Sequence, residues 1–468
     1  MAFSAASVWA TGLIATALLA SSAWPQTTSD GAGELLSEGL SLMHSGDFEA
    51  AITKLQQATR LSPGSAAAHY NLALALVASR REDEAIPELK SVVALNPRLE
   101  AAHYDLGILL EHKGQFAGAL EQFKEFHTLR PDDTGARVHI IYNDFKLGNE
   151  TEGMELVHQM LQEQPTAAVR AQVGILLADS GHSAEALKPL QQAAKEMPDV
   201  AVIHFNLGQV LLHSPDENSW HDGEKEIEIA LQLSPREPKY YETLGTWYLE
   251  RRDLEHASAL FKRGIQEIPT SASLYLMLGI AEADLHGTAT AKPYIEKAIE
   301  LDPNAALGYN LLGNLYLRLG DYEHALPNYQ KAATLSPNSD LYSYDVALVL
   351  ERMNHIEEAI PYAQNAIRLK PDRSPAHYIL GKLYSKLGRN NEAIRELEMC
   401  VRLNPQADAA YYLLARTNLK LGHRSEAEGW SRRFDELKTE QDRRVGLSGP
   451  ANQAAGLLDV PVPWNRVP

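Results

Sequence analysis

PKYYETLGTWYLERRDLEHASALFKRGIQEIPTS, residues 238–271, carries the pattern from which the rest of the chain can be read. Tyr241, Leu244 and Tyr248 recur at helical spacing, and Ala257 and Phe261 repeat that spacing further on. Gly245 and Ala257 are small residues twelve apart, which is what two antiparallel helices need where their axes approach to about 8 Å. Pro269 cannot continue a helix and biases its predecessor away from helical geometry, so it ends the second one. The stretch reads as a helical hairpin of 34 residues.

The hairpin recurs. Prolines at 63, 97, 131, 165, 198, 235, 269, 303, 337, 371 and 405 stand 34 apart, disturbed once by a 33 and once by a 37. With each proline set as position 32, position 20 is Ala or Gly in all twelve units, from Ala51 to Ala427. Position 8 is small in eleven of them, for instance Gly39, Gly107, Gly279 and Gly381. A second proline column, Pro87, Pro293, Pro327 and Pro361 at position 22, is expected in the first turn of the second helix, where an amide has no partner to lose. Self-similarity at such a period over most of a chain predicts a solenoid in which each unit packs on its neighbours.

These columns resemble the tetratricopeptide repeat, whose pattern W-x-x-L-G-x-x-Y, A-x-x-x-F, P spans 34 residues. The resemblance covers residues 32–441 as about twelve units, and it implies an all-α, right-handed α-solenoid, a superhelix of antiparallel helical hairpins whose first helices line a concave groove. It also implies work done by binding another protein or peptide. The chain departs from the pattern in three places. Position 4 is never Trp and is His69, His103, His204 and His377 in four units. The fourth unit has Arg137, Ile141 and Gly153 where an apolar residue, Gly and Ala are expected. The sixth carries about three extra residues within His213 to Asp222, where a bend or change of pitch is expected.

The ends differ from the array. An uncharged apolar run, Val8 to Ala20, precedes Ser21, Ser22 and Ala23, so residues 1–23 are expected to be a signal peptide, with an uncleaved membrane anchor over 8–24 as the alternative. Either places the array outside the cytoplasm, periplasmic or secreted, and contact with a membrane is expected only if the segment stays uncleaved. Residues 24–31 read as a linker, and residues 442–468, rich in Gly and Pro, as a tail expected to be disordered. The formal charge is −18, and residues 1–339 hold 25 Lys and Arg against 44 Asp and Glu, which argues against nucleic acid as a partner. Cys400 is the sole cysteine, so no disulfide or cysteine zinc site can form, and it is expected to fill a small buried position.

No catalytic motif is present, neither a P-loop nor a G-x-S-x-G elbow nor an H-E-x-x-H helix, so neither an enzyme nor a cofactor is expected. The position 4 histidines are one unit apart, on helices about 8 to 10 Å from each other, too far to share a zinc ion, and no metal site is expected. Positions 5, 9, 12 and 13 share one side of the first helix. Tyr344, Tyr378 and Tyr412 at position 5, Arg352 and Lys386 at 13, and Lys382 and Arg416 at 9 form a candidate site for an extended acidic or C-terminal peptide segment. Earlier units place Asp179, Glu250 and Asp284 at position 13, so the groove is expected to change sign along its length. A second candidate patch is Tyr70, Asn71, Tyr104, Asp105 and Asn206. Its position 6 members resemble in place the asparagine ladder of O-GlcNAc transferase repeat arms, and later units put Thr243, Met277 and Leu311 there. The expected function is a non-catalytic interaction scaffold binding a peptide or protein segment. The alternative is a non-catalytic arm of a secretion, polysaccharide-export or glycosyltransferase complex.

Overall fold

The structure is a computed structural model that describes residues 30–163 and 165–447. The segment read as a signal or anchor lies outside them, as do residues 448–468 of the expected tail, whereas residues 442–447 of that tail continue the last helix and residues 30 and 31 of the expected linker already belong to the first. Among the described residues the chain is all α: twenty-four α-helices follow one another with no strand. Two compact units divide at Ser234 and Pro235. The first holds six hairpins, from α1 (Asp30–His44) to α12 (Trp220–Leu233). The second holds six more, from α13 (Pro238–Glu250) and α14 (Leu254–Glu267) to α23 (Asp408–Leu421) and α24 (Arg424–Leu447). Within each unit a helix packs on its chain neighbours, which is the solenoid arrangement expected from the repeat.

The helices begin and end where the local chemistry directs. Ser65, Asp133, Ser271 and Ser339 cap first helices and Asp47, Asp253 and Asp321 cap second helices, each accepting a backbone N–H of the first turn. Such a cap contributes about 1 kcal/mol. Second helices such as α4 (Glu82–Leu95) and α14 stop two residues before Pro97 and Pro269. The position 22 prolines lie deeper than expected. Pro87 is the sixth residue of α4, inside the helix, and Pro293, Pro327 and Pro361 are likewise interior. The second helix starts at position 17, a turn earlier than that expectation required. Each of these prolines faces solvent, so water can serve the carbonyl that its missing N–H leaves free. In the sixth repeat the additional residues fold into a 3₁₀ turn, Glu217–Ser219, and the Trp220 indole N–H donates to the Ser214 carbonyl at 3.0 Å.

The small column at position 8 has a specific cause. A methyl group at Gly245 would lie 2.2 Å from the Phe261 ring, and one at Gly107 would lie 2.9 Å from Phe123. The position 24 side chain of the second helix therefore fills the space that position 8 leaves empty. The fourth repeat reverses this complementarity. Ile141 occupies position 8, Phe145 lies over Gly153, where a methyl group would come within 2.5 Å of the ring, and the position 24 residue is the smaller Val157. The substitutions that looked degenerate in sequence compensate one another in volume.

Position 4 also has a shared role. A proline carbonyl lying beyond the end of a helix has no helical donor. His69, His103, His204 and His377 each place Nε2 within 2.9 to 3.1 Å of the carbonyl of the proline six residues earlier. Their Nδ1 atoms face Glu88, Gln122, Glu226 and Glu396 at 2.5 to 2.9 Å. The Tyr241 hydroxyl reaches Pro235 in the same way at 3.0 Å, and Arg170 reaches Pro165. Each donor latches the loop between two repeats onto the hairpin that follows. For His377 burial opposes the charged ring, but Glu396 and the Pro371 carbonyl outweigh it and raise its pKa.

Candidate functional site

The second unit carries the residues of the first candidate site on three successive first helices: α19 (Asp340–Arg352), α21 (Ser374–Lys386) and α23. Position 5 grows more accessible along this series. Tyr344 and Tyr378 are half-buried, whereas Tyr412 is 49% exposed and its ring lies 5.7 Å from that of Phe434. Burial and then the neighbouring carboxylates, Asp345 and Glu351 respectively, push both half-buried phenols above their ordinary range. Neither hydroxyl has a hydrogen-bond partner among the described residues.

A cavity of about 470 Å³ opens between these helices. Tyr344, Glu351 and Arg352 line it from α19, and Tyr378 and Lys382 from α21. Pro375, Asn404 and Ala410 close its other sides, and Cys400, 1% exposed, sits at its wall with the Ser374 hydroxyl 3.3 Å from Sγ. The structure thus brings together Tyr344, Arg352, Tyr378 and Lys382. Lys386, Tyr412 and Arg416 stand outside the cavity lining.

The charges do not all remain available. Glu351 is 3% exposed, and one of its oxygens receives Lys386 Nζ at 2.7 Å and Lys382 Nζ at 3.0 Å. Burial opposes the carboxylate, yet the two ammonium groups outweigh burial and hold its pKa below the ordinary range. Arg318 is similarly engaged, 3.5 Å from Asp284 of the preceding repeat, which also binds Arg252 at 2.9 Å. Among the described residues Arg352 and Arg416 have no ion pair, and both are exposed.

A polar chain, buried at Tyr329, Asn310 and Asp345, leads to the residue beside Tyr344. Tyr329 of α18 (Tyr322–Leu335) donates to Asn314 at 2.7 Å, Asn314 contacts Asn310 at 3.3 Å, both on α17 (Ala306–Arg318), and Asn310 donates to Asp345 at 2.7 Å. Asp345 is pushed up to about 7 by burial, against the smaller opposing effects of Asn310 and Arg373. Arg373 is ion-paired with Asp340 and stands 5.9 Å over the Tyr344 ring, so it fixes the aromatic wall of the cavity. Glu351, Asp345 and Arg373 were not among the expected site residues, although Glu351 occupies position 12, on the same side as positions 5, 9 and 13.

The second patch is placed differently. Tyr70 is 2% exposed and its hydroxyl donates to the buried Asp105 at 2.8 Å. Burial raises Asp105 to about 6 despite that bond. The side-chain amides of Asn71 and Asn206 donate to carbonyls of their own helices at 2.8 and 2.7 Å. Tyr104 is half-buried against Phe123, Phe126 and His139. Four of the five residues, Tyr70, Asn71, Asp105 and Asn206, are buried, so in the first unit this column serves packing between repeats.

Comparison with known proteins agrees with this architecture. Models described as tetratricopeptide repeat match residues 36–100, 83–134, 272–305, 306–339 and 350–409. Two curated proteins are similar over short stretches. The antiviral innate immune response effector IFIT1 of Homo sapiens is 32% identical over 107 residues, 23% of this chain and 22% of that protein. The protein O-mannosyl-transferase Tmtc1 of Drosophila melanogaster is 30% identical over 108 residues, 22% of this chain and 12% of that protein. The chain therefore spans less than a quarter of the length of either relative. Among solved structures, YrrB, described as a TPR protein with an unusual peptide-binding site, aligns at 23% identity over 38% of this chain and 92% of its own, with a TM-score of 0.35. Yeast Tom70 aligns at 17% identity over 87% and 92%, with a TM-score of 0.39. With hairpins of 34-residue period in both units and family models matching in each, the chain belongs to the tetratricopeptide-repeat family.

Proposed function

We propose that this tetratricopeptide array, a protein-interaction scaffold, holds a peptide segment of its partner across α19, α21 and α23. Tyr344, Tyr378 and Tyr412 supply the aromatic contacts, Arg352 and Arg416 the available positive charge, and Lys382 and Lys386 a charge tied to Glu351. One observation carries the reading: four of the seven residues line a single cavity of about 470 Å³, where two phenolic hydroxyls and a guanidinium have no hydrogen-bond or ion-pair partner among the described residues. Aromatic and arginine anchors in a concave site dominate binding energy at interfaces. The apolar run Val8 to Ala20 supports action outside the cytoplasm.

Reversing Lys382 and Arg416 together to Glu should weaken capture of the partner at least tenfold and flatten its salt dependence. Arg416 is exposed and unpaired among the described residues, so Arg416→Glu alone tests the reading without disturbing the Glu351 ion pairs. Capture that is unchanged in both variants removes it.

A further inference from the structure

We infer that His377 is a proton-operated latch: the ring grips the loop before α21 when both of its nitrogens carry protons and lets the loop go when one proton is lost. Its Nε2 stands 2.9 Å from the Pro371 carbonyl and its Nδ1 stands 2.7 Å from the Glu396 carboxylate of α22 (Asn390–Leu403). A carbonyl and a carboxylate only accept, so both contacts are hydrogen bonds only when the ring is an imidazolium. Among the described residues no backbone N–H reaches the Pro371 carbonyl. From the elements packed around the buried ring, Glu396 is the one charged group paired with it among the described residues.

A neutral imidazole cannot satisfy both acceptors. Its remaining proton stays toward Glu396, where the bond is made to a charge and is the stronger, and the bare Nε2 then faces the Pro371 oxygen lone pair to lone pair. Burial opposes the charged ring, but Glu396 and the Pro371 carbonyl outweigh it and raise the pKa above the ordinary value of 6.5. The latch is therefore closed in mild acid and opens as pH rises through that raised value. The loop that it releases leads into Arg373, which stands over the Tyr344 ring, and into Ser374 and Pro375, which line the cavity between α19 and α21. The proton on His377 thus sets how firmly that wall is held.

The third repeat contains the same latch without the switch. His103 makes the same Nε2 contact, to the Pro97 carbonyl, but its Nδ1 faces Gln122, whose amide can turn its NH₂ toward a neutral ring. That ring holds its carbonyl with one proton.

Hydrogen exchange of the full chain, read by mass spectrometry at pH 5.5 and pH 8.5 with each rate divided by the intrinsic rate at that pH, compares the two loops. Protection of residues 372–377 should fall by about fivefold or more toward pH 8.5, and that of residues 98–103 should stay constant. Glu396→Gln gives His377 the partner that His103 has, so the Pro371 loop should remain protected at both pH values. Gln122→Glu should confer the pH dependence on the Pro97 loop. Asp345 of α19, pushed up to about 7, titrates in the same range and is left in place by Glu396→Gln. A loss of protection that persists in Glu396→Gln therefore belongs to another group and overturns the assignment to His377. Equal protection of the native Pro371 loop at the two pH values overturns it as well.

Discussion

Gly245→Ala should destabilise the chain by about 1 to 3 kcal/mol, because the added methyl group would stand 2.2 Å from the ring of the fully buried Phe261. The ring cannot swing away, since it is enclosed in the packing between α13 and α14. Phe261→Ala should cost more, about 3 to 5 kcal/mol, by leaving a cavity where the helices cross. The second repeat already contains a different solution at the same two positions, Ala73 with Leu89, both buried. The double variant Gly245→Ala with Phe261→Leu should therefore recover much of what Gly245→Ala loses. Urea denaturation followed by circular dichroism measures all three. If the double variant is no more stable than Gly245→Ala, the two positions are not matched by volume.

Asp345→Asn should change how stability depends on pH. The Asp345 carboxyl is raised from an ordinary value of 3.8 to about 7 by burial, so the folded chain holds its proton more tightly than the unfolded chain does. Stability linked to this group is fully present below the unfolded value. It is lost as pH rises toward 7 and is constant above that, a total of up to about 4 kcal/mol. Asparagine keeps an oxygen to accept the Asn310 N–H and has no proton to lose. Relative to the native chain, the variant should gain stability between pH 4 and about pH 7 and hold that gain above it, read from thermal midpoints at each pH. A difference that does not change with pH would mean that Asp345 is ionised throughout and that the polar chain from Tyr329 tolerates its charge.

The repeat was legible because its signals are local. Pro269 ends its helix two residues beyond Glu267, and Gly245 and Ala257 mark the crossing, since such effects depend on one residue and its near neighbours. The turn between the two helices held a further column that was missed. Position 15 is left-handed in ten repeats, seven times with glycine, such as Gly320, and three times with Arg80, Arg252 or Asn354, which hid the column from a search for identical residues. The prolines at position 22 were misplaced by about a turn because the start of the second helix depends on that left-handed residue and the cap after it, not on the proline.

The candidate site was legible only in part. Residue spacing put Tyr344, Arg352, Tyr378 and Lys382 on one side of their helices, and in the structure these four line one cavity. Spacing could not show that Glu351 draws Lys382 and Lys386 to itself, because that contact joins residues 31 and 35 positions apart whose side chains must bend toward each other. Nor could it separate the exposed Tyr412 from the buried Tyr70 in the same column. Accessibility depends on which residues the next hairpin presents, such as Asp105 against Tyr70.

The central claim is that partners are held on the first helices of the last three repeats. A photo-reactive phenylalanine derivative placed in turn at Tyr378 and Tyr412 on these helices, and at the exposed Glu357 of α20 (Ile356–Leu369) and Arg395 of α22 (Asn390–Leu403), tests it directly in the native host. Adducts with one partner from the two tyrosine positions, absent from the other two and abolished by Arg416→Glu, are the predicted result. Adducts of equal yield from the second helices, or none from Tyr378 and Tyr412, would contradict it.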